Sequence, residues 1–165
     1  MAHRLRESFT MQARHHHTFL MHLAGDFLLD WPPLSFFRDF IVEKDGERSS
    51  RLDLKNRGLL PIVNFARLVA LTNGISETNT IARLELSAKR GHIPADLYAD
   101  LREAYEFQTQ LNLVHQLRMV EAGETPDSFV DPAELSELER KTLKDAFAVI
   151  SRLRSHVKRE FPSVI

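Results

Sequence analysis

Cysteine is absent from this 165-residue chain, which removes disulfides, thiolate zinc sites, iron-sulfur clusters and a cysteine nucleophile together and suits a reducing compartment. Glycine is scarce at six residues, too few and too scattered for a phosphate-cradling loop. The chain contains no G-x-x-x-x-G-K-[ST], G-x-G-x-x-G or G-x-S-x-G pattern. An excess of either charge is also lacking: 22 Lys plus Arg against 23 Asp plus Glu leave a net charge of -1, so no bulk attraction to nucleic acid or anionic lipid is expected. Long apolar runs are missing too. The longest stretches without Asp, Glu, Lys or Arg, residues 15–25 and 107–117, are 11 residues each, short of the roughly 18 needed to span a bilayer. Arg4, Arg6 and Glu7 precede any apolar run, unlike a secretory signal. A cytoplasmic location with no membrane partner is expected.

What is present is ordinary for one compact domain, with 43% hydrophobic and 27% charged residues, and residues 1–165 are read as a single unit. Phe9, Ala13, Leu20, Leu23 and Phe27 recur at three, four or seven residues, predicting a long first helix over about residues 5–29 that Trp31-Pro32-Pro33 stops. Residues 36–43 are rich in aromatic and β-branched side chains, and Lys44-Asp45-Gly46-Glu47 supplies a turn. An accessory β-hairpin near residues 36–54 is the expected result. A second helix starts near Gly58 and Pro61 and ends at Asn73-Gly74, and a third runs over about 78–90 to Gly91. Pro94 opens a fourth that reaches about residue 122, roughly 43 Å at 1.5 Å per residue. Asp131-Pro132-Ala133-Glu134 and Ser136-Glu137-Leu138-Glu139 offer overlapping capping boxes ahead of the last helix. The fold class is therefore mainly α, a bundle of about five helices with one hairpin.

Four constellations could carry chemistry. His15-His16-His17 with His22 lacks a third ligand for a metal. In the fourth helix, Gln108 and His115 interrupt the stripe of Leu97, Leu101, Ala104 and Leu111. Each costs about 1–3 kcal/mol if buried unpaired, so they form either a closed polar network or a pocket wall with Gln116 and Arg118 near its mouth. Arg51, Asp53 and Lys55 alternate along a strand, with Arg38 on its partner. They make either an ion-pair ladder or a phosphate grip in which Arg supplies a fork and Lys a point charge. Finally, residues 121–139 hold seven acids and no base, whereas 151–160 hold four bases and one acid, a placement that matches the last helix's dipole. Asp53 has no carboxylate two residues away, so the usual D-x-D grip on magnesium is missing. The chain alone is not read as catalytic.

Phe36-Phe37-Arg38-Asp39-Phe40, Arg51-Leu52-Asp53-Leu54-Lys55 with Gly58-Leu59-Leu60-Pro61-Ile62-Val63, Ala66-Arg67, Leu113-Val114-His115-Gln116-Leu117, and Pro126-Asp127 with Asp131-Pro132 and Leu135 follow one another in that order. Together, over about residues 19–161, they resemble the C-terminal, substrate-binding-type domain of bacterial nucleotidyltransferases. The chain departs from that pattern at Ser128, where an amide such as Asn is expected. The resemblance implies a helical module beside a polymerase β-like catalytic domain in the same or a neighbouring chain, often in signalling proteins that also carry CBS and cyclic-nucleotide-binding-type domains. Magnesium and a nucleoside triphosphate are then expected on the catalytic domain, with no cofactor on this chain. Arg38, Arg51, Lys55, His115, Gln116 and Arg118 are the candidate contacts to acceptor or nucleotide, with Asp53 orienting the cations. A protein acceptor and a homodimer are further expected partners, and nucleic acid is not. The rival reading is a regulatory interaction or dimerisation domain without a small-molecule ligand. Helical ribonucleases that accompany small nucleotidyltransferases carry Arg, four to six residues, then His. Arg152 and His156 enclose three and Arg83 and His92 eight, so that activity is set aside.

Overall fold

The computed structural model describes residues 2–29 and 50–163. Six α-helices carry the fold: α1 (Ala2–His15), α2 (His17–Leu29), α3 (Leu60–Thr72), α4 (Thr80–Lys89), α5 (Ala95–Glu121) and α6 (Glu137–Glu160). Two short strands, β1 (Leu52–Asp53) and β2 (Phe129–Val130), pair antiparallel with Leu52 opposite Val130 and Asp53 opposite Phe129. A single π-helical turn, Lys55–Leu59, leads into α3.

The mainly α bundle is as the periodicity predicts, with two local differences. The first helix is broken at His16, although His16 still donates to Gln12 O and accepts from Leu20 N, each at 3.1 Å. This break separates His15 and His22 into different helices. The first half of the expected hairpin, together with Arg38, lies outside the described residues. Its return segment is present as β1, and the described partner of β1 is β2.

Helix boundaries follow local chemistry. Pro61 sits in the first turn of α3, where its missing N–H is harmless. Asn79 caps α4 by accepting from Ala82 N at 3.0 Å. Ser136 and Glu139 form the reciprocal box at the start of α6, while Asp131 makes a tight turn by accepting from Ala133 N at 2.8 Å. At the end of α5, Gly123 takes φ 76°, a conformation that a Cβ disfavours. That reversal lets Glu124 N reach Met119 O at 2.8 Å and turns the chain back toward β2.

Packing produces a larger core and a smaller one. The larger gathers Phe27, Phe65, Leu84, Leu101, Ile150 and Leu153 among others, and Phe27 and Phe65 meet with centroids 6.3 Å apart. The smaller joins Leu52, Leu54, Leu111, Val130, Leu135 and Leu143, and Phe147 packs against both. Burying side chains of this size gains roughly 1.5–3 kcal/mol each, so the smaller core fixes β1, the 123–136 loop and the end of α5 against α6. His156 is buried against the ring of Phe65, edge to face at 5.4 Å.

Candidate functional site

The polar groups of the bundle converge where the C-terminal half of α5 meets the 126–130 loop, β1 and the π-turn. His115 and Gln116 project from α5, and Gly123 folds the chain so that Asp127 and Ser128 come back alongside them. His115 Nε2 lies 3.3 Å from Asp127 Oδ1, and the same carboxylate oxygen accepts from Phe129 N at 2.9 Å. Asp127 N in turn donates to Met119 Sδ at 3.4 Å. The carboxylate is thus fixed by its own loop before it meets the imidazole, a geometry in which it orients the ring. Gln116 Nε2 donates to Ser128 Oγ at a long 3.5 Å, and Ser128 O accepts from Leu54 N at 2.9 Å. The loop is thereby tied to the residue that follows β1.

On the β1 side, Asp53 is buried and its two oxygens accept from Asn56 N at 3.0 Å and Asn56 Nδ2 at 2.6 Å. The strand alternation expected of Arg51, Asp53 and Lys55 ends at Asp53, because Leu54 and Lys55 already adopt helical backbone. Asp53 therefore anchors the π-turn through Asn56. Arg51 is half-buried just before β1, and Lys55 is exposed at the start of the π-turn. Arg118 is exposed on α5, and its charge acts on Glu139 at the start of α6, helping to lower that carboxyl's pKa after the larger effect of the Ser136 hydrogen bonds. The structure therefore brings His115 and Gln116 together with Asp127 and Ser128, and places Asp53 beside them through the Leu54 to Ser128 link. Arg118 lies toward α6.

Two helical turns before His115, Gln108 is fully buried on the inward face of α5. Among the described residues neither its Oε1 nor its Nε2 has a hydrogen-bond partner, and Asn112 Oδ1, one helical turn nearer His115, is likewise buried without one. Gly58 makes room for the amide: a Cβ there would stand 2.0 Å from Gln108 Oε1. A π-turn with its glycine against a buried amide is a local irregularity of the kind found at functional positions.

Gln108 and His115 are visible in the sequence as breaks in an apolar stripe. Asn56 and Asn112 break no apolar stripe and carry no such signal, although Asn112 follows Gln108 by one helical turn. The pairing of His115 with Asp127 depends on the Gly123 reversal, which the glycine itself signals. Among the described residues no three His, Asp or Glu side chains come together to hold a metal ion, and no helix is long and apolar enough to cross a membrane.

Compared with known families, residues 17–161 match the model described as "Putative nucleotidyltransferase substrate binding domain". No curated protein and no solved structure matches the chain.

Proposed function

From the premise that this chain belongs to the nucleotidyltransferase substrate-binding domain family, we propose that it is a non-catalytic helical module that docks on a nucleotidyltransferase catalytic domain and supplies part of the acceptor or nucleotide site. The observation that carries this reading is the polar cluster of His115, Gln116, Asp127 and Ser128, on the same helix as the fully buried Gln108 and the half-buried Asn112, whose amide atoms Oε1, Nε2 and Oδ1 are buried without partners among the described residues. Unpaired buried amides are costly by about 1–3 kcal/mol each, and a small number of convergent polar side chains is what a ligand-binding wall presents.

In this proposal His115, held by Asp127, donates to an anionic or carbonyl oxygen, while Gln116 reads a donor and acceptor pair. Arg51 and Lys55 at the β1 edge supply positive charge to a phosphate. Asp53 orients this edge by holding Asn56, and Arg118 contributes at the α6 side of the same helix. Arg38 belongs to the same proposed set. Magnesium and the nucleoside triphosphate are assigned to the catalytic domain, in the same or a neighbouring chain of a bacterial, cytoplasmic signalling protein, whose acceptor we take to be a small molecule or a protein.

The test is a titration of the ¹⁵N-labelled protein with ATP and with UTP, alone and with the catalytic domain from the same or adjacent reading frame. Shifts confined to amides around 51–56, 112–118 and 126–129, weakened at least tenfold by His115→Ala, are the expected result. Absence of any shift in the presence of the catalytic domain would refute the proposal.

A further inference from the structure

We propose that two copies of this chain pair reciprocally, with α1 of each lying along the outer face of the other's α5. The starting observation is that α5 is apolar on two opposite sides. Leu97, Leu101, Ala104 and Leu111 face the core, while Leu113, Leu117 and Val120 are each more than half exposed, and Val114 beside them is exposed as well. Residues 113, 117 and 120 follow the spacing of one helix face, so they form a continuous ridge rather than scattered surface residues. Acids bound this ridge at both ends: Glu103 and Glu106 before it, Glu121 and Glu124 after it, all exposed. Arg102, the cation nearest the first pair, is engaged with Glu106 at 3.9 Å.

This charge pattern selects the occupant. An antiparallel pairing of α5 with α5 of a second copy, centred on residue 115, sets Glu106 of one against Glu124 of the other. A parallel pairing sets each acid against itself. Like charges in such positions are unfavourable. The complementary surface on the same molecule is α1. Its Leu5 and Phe9, neighbours one turn apart on one face, are each more than half exposed, and Phe19 of α2 extends the patch by meeting Phe9 edge to face at 6.4 Å. Arg4 and Arg6 flank Leu5 against the one acid Glu7. The α5 ridge is therefore bounded by acids, with Arg118 to one side where its charge acts on Glu139 of α6, and the α1 patch carries two bases beside Leu5.

Within a chain α1 packs chiefly on α2 and α3, whereas α5 packs chiefly on α4, α6 and the π-turn, and the ridge residues are exposed. Exchange of the two contacts between two copies is reciprocal and closes as a two-fold dimer. Because α1 lies wholly before the family-matched segment, residues 17–161, this pairing does not depend on the proposed ligand role.

The experiment is light scattering and sedimentation of the purified protein at about 0.2 mM in roughly 0.05 and 0.5 M NaCl, a range over which exposed charge pairs are progressively screened. The expected mass is twice 19.0 kDa, falling toward the single-chain value in high salt. Leu117→Glu, which leaves His115 in place, and the pairs Arg4→Glu with Arg6→Glu or Glu121→Arg with Glu124→Arg should each weaken association at least tenfold with unchanged circular dichroism. All four charge reversals together should restore it to within a few-fold. A single-chain mass at 0.2 mM would overturn the proposal, as would a dimer indifferent to Leu117→Glu. Failure of the four-fold reversal to restore pairing would also overturn it, pointing instead to another occupant such as residues 30–49 or a foreign basic helix.

Discussion

Replacing Gly58 by alanine puts a methyl group 2.0 Å from Gln108 Oε1, 3.0 Å from its Cδ and 3.3 Å from Leu54 Cδ1. The amide terminates a side chain, but Gln108 is fully buried, so it can yield only by displacing its neighbours in the smaller core. Overpacking of this kind costs about 1–3 kcal/mol, against a gain of roughly 0.5–1 kcal/mol for placing alanine in helical backbone. A net loss of about 1–2 kcal/mol follows, which for a chain of this size lowers Tm by roughly 2–8 °C. Urea unfolding of four proteins, wild type, Gly58→Ala, Gln108→Ala and the double variant, isolates the contact. Gly58→Ala should be destabilising in the wild-type background and neutral or stabilising once the Gln108 side chain is gone, a coupling of at least about 1 kcal/mol. Equal costs in both backgrounds would show that the glycine is needed for its backbone and not for the amide.

Other perturbations test neighbouring parts of the account. Gln108→Leu replaces two unpartnered polar atoms by an apolar side chain, so stability should hold or rise by up to about 2 kcal/mol, while ligand binding at the His115 cluster should fall if the buried amide serves it; calorimetry and titration read the two separately. Ser136→Ala removes the cap of α6 and should cost about 1 kcal/mol near neutral pH. Hydrogen bonds from the Ser136 hydroxyl and backbone N–H hold the Glu139 carboxyl below its usual range, a contribution present above the ordinary Glu value and lost as pH falls through the lowered one. The wild-type advantage over Ser136→Ala should accordingly shrink below about pH 4. His156 is lowered from 6.5 chiefly by burial, opposed by Glu160 and assisted by Arg159. The unfolded chain therefore binds the proton first, and stability is full above 6.5 and declines as pH drops below it. In His156→Leu that part of the acid-side slope should flatten in denaturant midpoints measured from about pH 7 to pH 5.

How much of this could be read from the sequence depended on the range of the interactions. Gly91, Asn73-Gly74 and the Ser136 to Glu139 box act within one helical turn, and each lies at the helix end where it is expected. Gln108 and His115 were legible because a polar residue in an apolar stripe is a local anomaly. The partner of β1 was not, since Leu52 and Val130 are joined only after three helices have packed between them. The π-turn was equally hidden: it is the companion of a contact between Gly58 and Gln108, residues far apart in the chain. The break at His16 has no signal such as proline or glycine, and the 3.1 Å bonds across it show how small the departure from a continuous helix is. Asp53 illustrates a further limit, because an acid between two bases suggests ion pairing, whereas the nearby Asn56 presents two donors in a better geometry.

The most direct measurement compares nucleotide transfer by the catalytic domain alone, by this chain alone, and by the two together with magnesium and ATP or UTP. No turnover by this chain alone, and a rise in kcat/KM on mixing that His115→Ala abolishes, is the predicted outcome. Turnover by the 165-residue chain without any other protein, or a catalytic domain indifferent to its presence, would contradict the account.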